Sequence, residues 1–97
     1  MRYLQVRWSH ALPNEPVEIY GELDDTGWEI RKVEIFADGA IGFASCSEES
    51  HSTILGEKPW PPLEEIADDP QFKPEQISKE EFERIWENRF NLLSSPR

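Results

Sequence analysis

Cysteine is almost absent: Cys46 is the only one in 97 residues, so no intrachain disulfide can form. Small secreted domains commonly rely on several bridges, and the reducing cytoplasm is therefore the expected compartment. Long apolar runs are missing as well. The opening MRYLQVRWSH lacks the stretch a signal peptide needs, and no later segment approaches a membrane span. Bases are scarce, ten against twenty acids, for a net charge of −10. Holding a phosphate backbone takes a basic stripe, so direct nucleic-acid binding is not expected. The chain has no P-loop, no Rossmann glycine signature, no calcium-loop spacing and no zinc ribbon. Neither a cofactor nor a metal is expected.

What the chain does have is large rings: four tryptophans, five phenylalanines and two tyrosines. They help a single short domain, residues 1–97, bury enough apolar area to fold. Residues 1–45 read as a β-meander. In Tyr3–Trp8, Leu4, Val6 and Trp8 alternate with Tyr3, Gln5 and Arg7, which is strand period. In Val17–Leu23, Val17, Ile19, Gly21 and Leu23 take one face, and Glu18, Tyr20 and Glu22 the other. Asp24-Asp25-Thr26-Gly27 is a hairpin turn. The third strand, Trp28–Phe36, changes phase, and a bulge near Arg31–Lys32 would let Trp28, Ile30, Val33 and Ile35 all face the core. A turn at 37–40 leads to a fourth strand, Ile41–Ser45, and Thr53–Leu55 adds a candidate edge strand.

Residues 46–62 form a polar loop and a proline-rich connector, with Pro59, Pro61 and Pro62 around Trp60. Fixed φ makes that connector stiff, and Trp60 is expected to pin it to the core. Residues 63–93 read as the helical part. Leu63–Asp69 is a short turn stopped by Pro70. Ser78 with Glu81 three residues later is a capping box, and Phe82, Ile85, Trp86 and Phe90 follow at helical spacing. Strands followed by helices give an α+β class. The expected fold is a four- or five-stranded antiparallel β-meander with a C-terminal α-helix packed on one face.

No constellation makes a catalytic site. Cys46 and His51 lie five residues apart in a serine-rich loop, but a thiol–imidazole pair needs fixed geometry and a third orienting group. His10 with Asp24 and Asp25 is too loose for a metal, and aspartate in turns is ordinary turn chemistry. Glu64/Glu65 and Asp68/Asp69 resemble acid–base pairs only in type. Such pairs work when a cleft separates their pKa values, whereas these sit on the polar side of a short helix. The protein is not expected to be an enzyme.

Charge is more informative. From Glu57 to Glu83 there are nine acids and three bases, and such a field favours encounter with a basic protein. Tyr3, Arg7, Tyr20 and Arg31 fall on the strand face opposite the apolar stripe and could form a contact patch, since tyrosine and arginine are enriched in hot spots. Ordinary cross-strand pairing explains them equally well. The expected partner-binding residues are Tyr3, Arg7, Tyr20, Arg31, Glu64, Glu65, Asp68 and Asp69.

RYLQVRWSH, then PNEPVEIYGELDDTGWEIRKVEIFADG, LGEKPWPPLEEIADDPQF and PEQISKEEFERIWE, resemble a family of short bacterial proteins of unestablished function. The resemblance runs from Arg2 to about Glu87. It implies a stand-alone domain of this length, loosely associated with gene clusters of toxin and immunity proteins, and it brings no catalytic residue or ligand. The function expected is that of a small acidic protein-binding domain, an immunity-type inhibitor occluding a basic toxin or nuclease, monomeric without its partner. The alternatives are a structural or adaptor subunit, including a homo-oligomer, and an enzyme using the Cys46/His51 loop.

Overall fold

The computed structural model describes residues 1–50 and 53–89. Five strands follow in chain order: β1 (Arg2–Trp8), β2 (Pro16–Leu23), β3 (Glu29–Phe36), β4 (Ile41–Ala44) and β5 (Glu49–Ser50). They are succeeded by α1 (Leu63–Ala67), β6 (Phe72–Gln76) and α2 (Lys79–Glu87). All strand pairs are antiparallel, in the order β5-β4-β3-β2-β1-β6. The class is α+β as expected, but the sheet has six strands rather than four or five.

Two strands fall where none was expected: β5 lies inside the 46–62 loop, Thr53–Leu55 contributing only an isolated Ser50–Thr53 bridge, and β6 lies inside the stretch read as helical. Its sequence, FKPEQ, has too few apolar residues to show a period, and it contains Pro74. Proline is tolerated there because β6 is an edge. Ile77 N–H bonds Tyr3 O and Ser9 N–H bonds Gln71 O. With Val6 opposite Pro74 in the register, Pro74 falls at an alternate position, its nitrogen turned away from β1. The missing donor therefore costs no ladder bond and blunts the outer edge.

The register divides the side chains into two faces. Tyr3 lies opposite Glu22, Glu22 opposite Arg31, Tyr20 opposite Val33, and Val33 opposite Phe43. These residues form the face that α2 covers. The other face carries Leu4, Val6, Leu23 and Ala44, all buried. Both faces are thus core. The side of Tyr3, Tyr20 and Arg31, read as solvent-facing, lies under the helix.

A shift between Glu22 and Leu23, which pair with Arg31 and Glu29, leaves Ile30 as the extra residue. The bulge sits just before the expected Arg31–Lys32 position. It aligns different residues from those anticipated: Glu29 and Lys32 come to share a face, where their ion pair closes at 3.0 Å with both side chains largely buried. Trp28 precedes β3 and is 42% exposed rather than core.

Helix α2 starts at the anticipated capping box. Ser78 Oγ accepts from Glu81 N–H at 3.0 Å, and Glu81 Oε1 accepts from Ser78 N–H at 3.1 Å. Its anchor is Phe82, at 0% exposure, packed with Tyr3 and Ile77. Trp86 is partly buried, with its ring edge-on to Phe43. Phe90 lies outside the described residues.

Between helix and sheet stands Arg31. It donates to Glu22 from Nε and an Nη, at 2.6 and 3.1 Å, and to both oxygens of Glu83 at 3.1 and 2.7 Å. Its guanidinium also lies 5.0 Å from the Phe82 ring centroid and 5.1 Å from that of Trp86. The hydrogen bonds to Glu22 are the chief reason its pKa rises further, opposed by burial and aided by Glu83. The Glu83 carboxyl is held below the usual range, first by its hydrogen bonds from Arg31. Tyr3 is raised by burial and then by Glu22. Tyr20 is pushed up to about 12 by burial and then by Glu18.

Phe82→Ala should lower unfolding free energy by roughly 3–5 kcal/mol in urea titration; an unchanged midpoint would mean that α2 is not held by this contact. A second expectation concerns acid. A carboxylate with a depressed folded pKa contributes its stability above its unfolded value, about pH 4.3, and loses it as pH falls through the folded value. Glu83→Gln should therefore flatten the acid limb of stability against pH, and a limb as steep as wild type would contradict the assignment.

Candidate functional site

The connector that leaves β5 returns across the face opposite α2. Trp60 holds it in place. Its backbone N–H donates to Gly27 O at 2.8 Å, and its indole N–H donates to Glu29, which also accepts from Gly56 N–H at 2.6 Å. The ring lies on Gly21, where an added Cβ would come within 3.0 Å of two ring carbons. Gly27 has φ of 93°, and a Cβ there would sit 2.8 Å from Trp60 O. The hairpin turn is tightened by Asp24, whose carboxylate accepts from Thr26 N–H, Thr26 Oγ1 and Trp28 N–H. The Thr26 hydroxyl is the first cause of that carboxyl's lowered pKa.

Pro61 and Pro62 then lead into α1, which packs beside β6. Because α1 has only five residues and buries none of them fully, it leaves part of the sheet open. The result is a groove of about 350 Å³. Val6 and Ile19 from neighbouring strands form its floor. Trp60 and Pro61 line it from the connector, Ile66 from α1 and Phe72 from β6. Glu65 from α1 and Asp69 from just past its C-terminal cap complete the lining, and among the described residues no base takes part in it. An apolar concavity with a few polar groups at its border is the usual form of a binding site.

The expected partner-binding residues divide accordingly. Glu64, Glu65, Asp68 and Asp69 are all exposed, and two of them border the groove. Asp69 also accepts from Gln71 N–H at 3.0 Å. Tyr3 and Arg31 are packed under α2, Arg31 with a side chain only 19% exposed. Tyr20 is half-buried in the same layer, its hydroxyl shared with Gln5 and Glu18. Arg7 is exposed on β1 on the same side of the sheet, 4.0 Å from Glu18. The eight residues therefore do not form one patch. The sequence marks Trp60 and Ile66 only through the proline-flanked tryptophan and the apolar face of the short helix, and it gives no local signal for Phe72.

Of the other candidates, His10 has a structural role. His10 Nδ1 accepts from Leu12 N–H at 2.9 Å, which leaves Nε2 to donate to Pro16 O at 2.8 Å; the imidazole ties its loop together. Cys46 is exposed, and His51 lies outside the described residues. A second concavity, of about 460 Å³, is lined by Glu15, Glu34 and Asp38 with Pro13, Pro16 and Phe36. Glu34 there accepts from the buried hydroxyl of Thr53 at 2.8 Å. Among the described residues no helix is long and apolar enough to cross a membrane.

Comparison with known proteins places the chain by family only. No curated protein matches it, and no solved structure does. Residues 2–91 match the model of a domain of unknown function, DUF6881, and the chain belongs to that family.

Proposed function

We propose that this chain is a small acidic protein-binding domain, an immunity-type inhibitor that occludes a basic protein such as a nuclease toxin. The observation that carries the reading is the apolar groove bordered by Glu65 and Asp69, within the acidic segment that also presents Glu64 and Asp68. A nuclease must attract phosphates, so its active cleft is basic and offers the complementary field. Long-range attraction accelerates encounter, and burial of apolar groups in the groove supplies short-range affinity. Tyr3, Tyr20 and Arg31 serve this function indirectly, by holding α2 to the sheet. A second reading, an adaptor subunit or homo-oligomer, draws on the exposure of Trp28 and Ile54; light scattering separates it, since the inhibitor alone should be monomeric.

The test is a pull-down from the cell that encodes the chain, followed by kinetics on the recovered partner. A basic protein should be enriched, its activity should fall on binding, and association should slow as salt rises. Joint reversal of Glu64, Glu65, Asp68 and Asp69 to lysine should lower the association rate constant at low salt while leaving the melting temperature nearly unchanged, because exposed charges contribute little stability. An unchanged association rate would remove the acidic segment from the encounter, and a recovered partner of acidic character would overturn the reading.

A further inference from the structure

We propose that the groove is a seat for one apolar side chain and one neighbouring lysine or arginine of the partner, in an inference that rests on the protein-binding reading above. The apolar side chain lies on Ile19, Ile66 and Phe72. The cationic stem crosses the Trp60 ring, and its head group rests between Glu65 and Asp69.

Three features of the groove select this occupant. First, among the described residues its lining is apolar apart from two carboxylates and includes no base. A carboxylate or phosphate would meet like charge there, while a lone ammonium without an apolar neighbour would leave the floor of Val6 and Ile19 uncovered. Glu65 on α1 and Asp69 just past its C-terminal cap both line the groove. One ammonium or guanidinium can reach both.

Second, Trp60 is set before any partner arrives. Its indole N–H is committed to Glu29, its backbone N–H to Gly27, and its ring to the surface of Gly21. Prolines 59, 61 and 62 fix the backbone on either side. A fixed aromatic face attracts a cation through its quadrupole, and a wall that is already ordered loses little entropy on binding.

Third, the neighbouring sheet edge is unsuited to a partner strand. Pro74 occupies the middle of β6 with no donor to offer outward. A partner reaching this side of the molecule is therefore held by its side chains in the groove, in preference to extending the sheet.

The test is an NMR titration of the full chain, observing the Val6, Ile19 and Ile66 methyls and the Trp60 indole. The probes are the blocked peptides Gly-Arg-Leu-Arg-Gly, Gly-Arg-Gly-Arg-Gly and Gly-Glu-Leu-Glu-Gly. The first should give saturable shifts at these four residues. Loss of its leucine, or the double variant Glu65→Gln/Asp69→Asn, should weaken binding about tenfold, near 1.4 kcal/mol. The acidic peptide should leave the four signals unmoved. The proposal is overturned if no saturable shift appears at millimolar peptide, if the strongest shifts lie elsewhere, or if the leucine-free peptide binds equally well. It is overturned too if the acidic peptide binds equally well, which would mark a plain apolar pocket. Failure here, with the lysine reversals still slowing association of the natural partner, would remove this seat alone; failure of both would remove the protein-binding reading.

Discussion

The fold depends on a single guanidinium. Arg31 reaches from the centre of the sheet to a helix more than fifty residues later in the chain, and it grips a carboxylate on each side. The bidentate geometry sets orientation as well as distance, because both forks are planar. Phe82 and Trp86 shield the cation from water and present their ring faces to it. A buried charge is tolerated only when paired, so the helix that brings Glu83 is what makes Arg31 acceptable under it. In turn, the bulge at Ile30 is what aims Arg31 at the helix side and Lys32 at the other.

The opposite face follows the same logic with different residues. Lys32 pairs with Glu29, and Glu29 also accepts from the Trp60 indole and from Gly56 N–H. One carboxylate thus couples β3 to the connector. The tryptophan that closes the core on this side is also the wall of the groove, so the candidate site belongs to the rigid part of the molecule. The groove stays open because α1 is too short to cover the sheet between Ile19 and Phe72.

Two length scales divide the surface by role. Charges on the Glu57–Glu83 segment act over the Debye length, about 8–10 Å in ordinary salt, and under the proposed function they would govern how often a basic partner arrives. The groove would act only on contact and set how long such a partner stays. Glu65 and Asp69 belong to both the acidic segment and the groove lining, so under the proposal this part of the surface would combine long-range steering with local fit.

Much of the architecture was legible in local pattern. Alternation over Tyr3–Trp8 and Val17–Leu23, the Asp24–Gly27 turn, the Ser78–Glu81 box and the Phe82–Ile85–Trp86 stripe each depend on neighbours within a few residues. The phase change in β3 likewise announced a bulge. The acid excess around α1 was plain from composition. β6 was hidden, because an edge strand of five residues built on proline has no period to detect. The sheet face under α2 was misread for a different reason. Tyr3, Tyr20, Glu22 and Arg31 look like solvated residues until Glu83 and Phe82 arrive from far along the chain to pair with them. The groove arose the same way, since Val6, Ile19, Trp60, Ile66 and Phe72 share no spacing. Periodicity determines which residues share a face. Which face is buried, and where it stays open, is decided by contacts between distant segments, whose energies no short window of sequence contains.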